Sequence, residues 1–413
     1  MFLNKFSLYL IYIIPIALVT GNFLPDLILC LIGFFFLINT FRFNLWNDFY
    51  NNYYVKCFIA FYLYIVFCSS ISSDPFFSLS SSIVYIRYLF YSLAIWYLLT
   101  CFPQLTKNLA KIAFFTLLIV ILDGYYQFIN GHNILGYVSP DKFRLTGFFD
   151  TEQIIGGFIA RLAPICLGLF LLYKENIKKS ELIFFFIFLI NCEVLVYLSG
   201  ERAAFFFMVF FLLSLLFFLN KYKLIRIITY IFSLIIIFII TSTNKIVQNR
   251  MIKGTFDQVS QTSIPYLPYG PHHEAHYISA LKMFLDKPFF GVGPNMFRNL
   301  CGEEKYSYFM ACSTHPHNHY IQLLAETGIF GFLFLLFLFF FILIILIKHF
   351  IQNFCIKDDW KLSDGIVVLF IVLLIFTWPL IPTGNFFNQW TNAIFYLPVG
   401  FILFYFKKIK KLK

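Results

Sequence analysis

The run His315-Pro-His317-Asn318-His319 stands where a long polar stretch ends and an apolar one begins, with Gly328 and Gly331 close behind. Imidazole is the side chain whose ordinary pKa lets it take a proton near neutral pH. At a water–lipid boundary, His317 is placed to remove a proton from a membrane-borne substrate whose reactive head lies there. A second run, Ser199-Gly-Glu-Arg202, offers the complementary chemistry. An arginine beside a helix start, where free backbone N–H groups point outward, makes a seat for a phosphate or diphosphate. Arg202 is therefore the first anion-binding candidate, and Arg144, in Lys142-Phe-Arg-Leu-Thr-Gly147, is the second. The plainer reading has both arginines snorkelling to lipid phosphates, with Ser199 as an N-cap and Glu201 as its dipole partner.

The elements that must hold these groups are membrane helices. The chain has 413 residues, of which 60% are hydrophobic and 12% charged, a balance that excludes an ordinary soluble globule. Apolar spans are expected at about 6–20, 24–40, 53–71, 84–102, 108–129, 153–173, 181–198, 203–220, 224–241, 319–348, 364–381 and 391–407. That is an all-α polytopic protein with about 12 crossings. It forms a single membrane domain over 1–413, with one large outer loop at 242–318. No cleavable leader is expected, because no small-residue cleavage site follows the first apolar run.

Placing the N-terminus in the cytoplasm puts most of the 31 Lys and Arg on inner segments, including the lysine-rich tail from Lys407. Both termini are then cytoplasmic. The net charge of +11 reads as a topology signal with attraction to anionic lipid, and nucleic acid is not its partner. In this orientation the helices starting after Gly147, after Ser199 and at His317-Asn318 all begin on the outer face.

The long loop carries His272, His273, His276, His315, His317 and His319. His273 and His276 are spaced for one helix face, as in some zinc sites. No loop carboxylate stands at a metalloenzyme spacing and no HExxH is present, so no metal and no other cofactor is expected. Cys301 and Cys312 share the loop and, on an oxidising side, are candidates for a disulfide shaping the approach to His317. The segment 264–271 is Pro-rich and expected to form a loop wall. Glu274 to Leu285 is expected to be a short helix, and Gly291, Gly293 and Pro294 a tight turn. Arg87, Asp123, Arg161 and Glu193 fall inside apolar spans, where they are expected to pair and hold a cavity open.

On these residues the chain resembles the O-antigen ligase and polymerase family of polytopic glycosyltransferases. The resemblance rests on His317-Asn318, nine residues, then Gly328-Ile-Phe-Gly331. It is extended by Pro288-Phe-Phe-Gly-Val-Gly293, Arg144-Leu-Thr-Gly147 and Ser199-Gly-Glu-Arg202, all in the family's order. The resemblance implies a fold related to the C-type membrane glycosyltransferases and a bacterial inner-membrane location. It implies metal-independent, inverting transfer of a glycan from undecaprenyl diphosphate to an acceptor hydroxyl, either lipid A core or another glycan. His317 would be the base and Arg202 the partner of the departing diphosphate. Asn318 would orient the imidazole or a sugar hydroxyl, and Gly328 and Gly331 would let their helix approach a neighbour closely. Where the family carries a second loop arginine, this chain has His273, so His273, Arg298 or Arg250 would take that role. The competing class is a lipid-linked glycan flippase or another transporter. Transport calls for ionisable groups near the bilayer midplane and for repeat symmetry, whereas the candidates here gather at one face beside one large loop.

Overall fold

The computed structural model describes residues 2–174, 177–260, 270–353 and 362–412. Helices stand on the apolar segments in order: α1 (Phe2–Ala17), α2 (Phe23–Phe43), α3 (Tyr53–Ser70), α4 (Pro75–Cys101), α5 (Leu105–Asn130), α6 (Ile155–Tyr173), α7 (Lys179–Leu198), α8 (Arg202–Phe218) and α9 (Lys223–Thr243). A loop helix, α10 (Pro271–Asp286), precedes α11 (His319–Ile351), α12 (Asp364–Phe376) and α13 (Gln389–Leu412). Eight of these are long and apolar enough to cross a membrane: α2 to α7, α9 and α11. The helices α1, α8 and α12 are shorter and apolar. Among the described residues the only β-structure is an isolated bridge between His132 and Val138.

The packing is that of a protein solvated by lipid. On α9 the buried positions are Arg226, Thr229, Ser233 and Ile237, while Leu224, Ile228, Phe232, Ile235 and Phe238 are exposed. A water-soluble helix has the reverse arrangement. At the centre of the bundle, α12 buries every residue from Gly365 to Phe376. Helix α6 buries nearly all of its length and touches α5, α7, α8 and α12. Its first turn, at Ile155, is where the polar groups of interest collect.

The expected mutual pairing of Arg87, Asp123, Arg161 and Glu193 does not form. Arg87 pairs instead with Asp26 at 3.0 Å, and Asp123 accepts the amide of Ile134 at 2.8 Å. Glu193 accepts the Ser233 hydroxyl, and Arg161 donates to the Gly157 carbonyl at 3.0 Å. Each charged group has found a nearer partner than another member of the set.

The segment 242–318 carries short helices of its own. Short helices run Lys245–Gln248 and Gly254–Ser260, joined by a π turn at Asn249–Lys253, and another runs Phe297–Leu300. The expected short helix is α10, extended to Pro271–Asp286. Of the Pro-rich segment, 264–269 lies outside the described residues, and Pro271 occupies the first turn of α10. A small core of its own, including Met283, Val292, Met296, Phe297, Leu300 and Tyr306, holds the second half of the segment together. Cys301 and Cys312 are joined in a disulfide there, with Cα atoms 5.1 Å apart.

Candidate functional site

Three arginines from distant parts of the chain meet beside the start of α8. Gly200 makes this possible, because its φ is +75° and a Cβ there would run into the carbonyl of Phe143 at 2.5 Å, Arg144 at 3.2 Å and Arg250 at 3.4 Å. The 143–145 strand of chain is tied down by the Leu145 amide donating to the Ser199 carbonyl at 3.2 Å. Arg250 donates through Nε to the Gly200 carbonyl at 3.1 Å. Arg202 donates to the Arg250 carbonyl at 2.8 Å and to the side chain of Gln258. Arg144 donates to the Gln153 carbonyl at 2.9 Å. Among the described residues none of the three forms an ion pair, and Nε of both Arg144 and Arg202 is buried without a partner. Like charge crowds like charge: burial first, then Arg144, holds the Arg250 guanidinium below its ordinary pKa. Sequence reasoning named Arg202 and Arg144. Arg250 it offered only as one of three substitutes for a missing arginine, and Arg250 is the one that stands beside Arg202.

Glu201 corrects the expectation about helix starts. Its carboxylate accepts the amides of Gly156 at 2.7 Å and Gly157 at 3.1 Å, so it caps α6 and not its own helix. Two of the free N–H groups of α6 are thereby taken by Glu201 and are not open to a phosphate. Burial pushes the Glu201 carboxyl up to about 7, against the pull of Arg144 and those amides. Ser199 is likewise no N-cap: it closes the C-terminus of α7, its hydroxyl donating to the Val196 carbonyl at 2.7 Å. The start of α8 carries no side-chain cap.

The histidines form a second cluster. His317 lies at the centre, with ring centroids of His315 at 4.1 Å and of His273 and His276 at 5.3 Å each. His276 donates through Nδ1 to the Ala311 carbonyl at 2.7 Å, which leaves Nε2 as its lone-pair nitrogen. Nε2 of His317 meets the Ser313 hydroxyl at 3.2 Å. The disulfide ties Cys312, between Ala311 and Ser313, to the end of the Phe297–Leu300 helix, and so fixes two neighbours of the cluster. Burial, followed by the repulsion of neighbouring rings, pushes the pKa of His317 down to about 3 and that of His273 down to about 4, and burial, opposed by the Thr383 backbone and aided by Arg298 and then the rings, pushes that of His315 down to about 4. His276 is lowered by burial too, with the Ala311 carbonyl opposing. At neutral pH the cluster is uncharged. Among the described residues no group of three or more His, Cys, Asp or Glu side chains is arranged to hold a metal ion.

His273 therefore packs on His317 and is not a partner of Arg202. Arg298 is exposed, donates to Asn295 at 2.9 Å and lies near His315. Neither replaces the missing loop arginine beside Arg202. Asn318 also departs from its expected role. Its Oδ1 caps α11 through the amides of Tyr320 at 2.9 Å and Ile321 at 3.2 Å, and its Nδ2 donates to the Pro379 carbonyl at 2.8 Å. With both ends engaged and 3% of its surface exposed, it holds the chain next to His317 and is not free to touch a sugar. Ser313 and Thr383, which sequence reasoning missed, contact His317 directly. Nothing in their local pattern marks them, because a serine or threonine at a turn is ordinary.

Gly328 breaks α11 with φ 67° and ψ −166°. The approach that its missing side chain permits is to the backbone of Phe289 and Phe290, a loop segment and not another helix. There the chain of Pro288-Phe-Phe-Gly-Val-Gly293 pairs with α11: Val292 donates to Ala325 and Gly293 to Glu326, each at 2.9 Å, and Ile329 donates to Pro288 at 2.9 Å. Two of the motifs noted in the sequence are thus the two sides of one joint. Gly331 is needed because a Cβ there would collide with the Thr327 side chain.

Residues 183–336 match the family model described as O-antigen ligase. Over these residues the chain is similar to that family. No curated protein matches the chain. The matched segment contains Arg202, Arg250, the four clustered histidines and the Gly328 joint, while Arg144 and Arg161 stand upstream of it. The arginine and histidine clusters are connected through α6. Glu201, adjacent to Arg202, and His319, two residues from His317, each interact electrostatically with Arg161.

Proposed function

We propose that the protein is an inverting glycosyltransferase of the O-antigen ligase or polymerase type, acting without a metal on a glycan carried by undecaprenyl diphosphate. The observation that supports this reading is the crowding of Arg144, Arg202 and Arg250 without a direct ion pair among the described residues, linked through Arg161 of α6 to an uncharged imidazole cluster. Three crowded guanidinium groups outnumber the carboxylates near them and favour a polyanion, and a diphosphate has the charge and the oxygen geometry to meet them.

In the proposed reaction the acceptor hydroxyl attacks the anomeric carbon from the face opposite the diphosphate. His317 takes the proton of that hydroxyl, and the bond from the sugar to the phosphate oxygen breaks with its electron pair leaving on the diphosphate. Arg202, with Arg250 and Arg144 beside it, faces the charge that develops there. A pKa of about 3 makes His317 a weak base in the free protein. The anionic donor, bound nearby, raises it toward the range in which it works. In this proposal the chain makes about 12 crossings of a bacterial inner membrane, with both termini in the cytoplasm and segment 242–318 in the periplasm. The fold would be related to the C-type membrane glycosyltransferases. The acceptor is lipid A core for a ligase or a growing glycan for a polymerase.

The test is the glycan of a deletion strain. Polymer stranded on undecaprenyl diphosphate identifies a ligase, and single repeats on lipid A identify a polymerase. An unchanged glycan profile in the deletion strain rejects both. Normal transfer with undecaprenyl-diphosphate-linked donor supplied directly on the outer face of the deletion strain would instead favour a flippase.

A further inference from the structure

Arg161 belongs to no motif of the sequence and lies outside the family-matched segment. It stands in the second turn of α6, roughly 9 Å along the helix from Ile155 at 1.5 Å per residue. Its guanidinium is held between two aromatic rings, 5.7 Å from the centroid of Phe207 on α8 and 5.6 Å from that of Phe376 on α12. The rings fix its position from two sides while accepting none of its five N–H donors by a conventional bond.

Among the described residues its hydrogen bond is the one to the Gly157 carbonyl, and no carboxylate lies within ion-pair distance. Glu201 is close without pairing. A Cβ on Gly157 would sit 2.9 Å from Nη1 of Arg161 and 3.3 Å from Oε2 of Glu201, so the two border the same small space. The Glu201 oxygens are already spent on the amides of Gly156 and Gly157. On the other side Arg161 interacts with His319 of α11. The side chain is half-buried, and both Glu201 on the arginine side and His319 on the histidine side lie within its electrostatic reach. An unpaired cation inside an apolar helix is costly, and such residues mark the path of a charged ligand.

We propose that Arg161 is a further binding residue for the donor's diphosphate, gripping it from the membrane side while Arg202 faces it from the loop side. The inference rests on the proposed function, because it takes the diphosphate donor from there. As the sugar's anomeric carbon bonds to the acceptor oxygen and releases the phosphate oxygen, the diphosphate gains one negative charge. Arg161 meets that charge without exchanging a proton, since guanidinium stays protonated.

The test uses the full chain in lipid nanodiscs and undecaprenyl diphosphate as probe, with binding followed by native mass spectrometry. Arg161→Met is expected to weaken binding about tenfold or more, the loss of a charge-assisted fork, while thermal unfolding stays close to wild type. In transfer assays the same variant raises KM for the donor and lowers kcat, whereas a residue that merely supports Glu201 would change stability and leave KM alone. Binding of the Arg161→Met protein within about twofold of wild type overturns the proposal. Should that variant fail to fold, Arg161→Lys decides. It keeps the charge and loses the fork, so binding about threefold or more weaker supports the proposal and wild-type binding overturns it. Arg202→Met separates the two failures. If it weakens binding while Arg161→Met does not, only the role of Arg161 falls. If wild-type protein binds undecaprenyl diphosphate no better than undecaprenol, the donor itself is wrong and both readings fall.

Discussion

The carbonyl of His317 accepts the amide of Thr383 at 2.8 Å, and this bond spans from the loop to the connection between α12 and α13. It matters because His317 has φ 56°, a left-handed conformation that costs a non-glycine residue free energy and persists only where its surroundings impose it. The neighbouring bonds of Asn318 to Pro379 and of the His319 amide to Thr383 complete the hold. The ring is aimed by its backbone.

Replacing His317 with Ala is expected to lower glycan transfer at least about 100-fold, the span usual for loss of a general base. Membrane insertion and undecaprenyl diphosphate binding should stay unchanged. Transfer rates in membranes, normalised to protein level, check this, and full activity would remove the base assignment.

Arg202→Lys should reduce transfer about tenfold or more although charge is conserved. The guanidinium spans the Arg250 carbonyl and Gln258 at once, and an ammonium cannot reproduce that fork. The measurement is kcat/KM against donor concentration, alongside Arg250→Lys, which is expected to fall in the same direction.

Asn318→Ala removes the cap of α11 and strands the buried Pro379 carbonyl. A stability loss of about 1–3 kcal/mol is expected from the two together. Asn318→Asp keeps the capping oxygen and loses the donor to Pro379, so its melting temperature should fall between those of wild type and Asn318→Ala. If Asn318 acted only on a sugar, both variants would melt like wild type.

Acid should destabilise the loop. In the unfolded chain His273, His315 and His317 take up protons below about 6.5, while in the folded protein they stay neutral down to about 4 or 3. The unfolded state therefore binds more protons throughout that window. Stability is fully present above about 6.5 and declines as pH falls toward 4. Melting temperatures at pH 7 and pH 5 should differ, and replacing His273 and His315 with Gln should flatten the difference. For the same reason the transfer rate of wild type should show no break near 6.5 that belongs to free His317.

Cys301→Ser with Cys312→Ser is expected to lower stability by about 2–3 kcal/mol, the cost of losing a cross-link across a separation of 11 residues. Transfer should fall as well, because Ala311 and Ser313 both touch the histidine cluster. Thermal unfolding with and without a thiol reductant measures the first effect.

The positions of the membrane helices were legible in the sequence because lipid demands long apolar runs, and Phe, Ile and Leu supply them with little ambiguity. His317, Arg202 and Arg144 were legible because a titratable or charged residue at the edge of such a run has few bland uses. What remained hidden was partner choice. The carboxylate of Glu201 and the N-terminus of α6 are 45 residues apart in the chain, and only the fold shows that one caps the other. Asn318 reads as a catalytic neighbour from its place in the motif, whereas its amide is spent on α11 and Pro379. Arg250 and Arg161 were named in the sequence, but their surroundings were not legible. The first was one of three alternatives in a polar segment, and the second was expected to pair with other buried charges that in fact had closer partners.

The break at Gly328 divides α11 into two mechanical members. The upper nine residues, from His319 to Thr327, are fastened to the loop through Val292 and Gly293, and to the α12–α13 connection through Gln322 and Asn385. The lower rod, from Ile329 to Ile351, meets lipid along one side with Phe330, Phe337, Phe341 and Ile344 exposed. When a bilayer thickens or thins, a spanning rod answers by tilting. With a joint between them, that tilt is absorbed at the glycine and does not swing the imidazole above it, so the reaction geometry is insulated from the thickness of the membrane in which the protein sits.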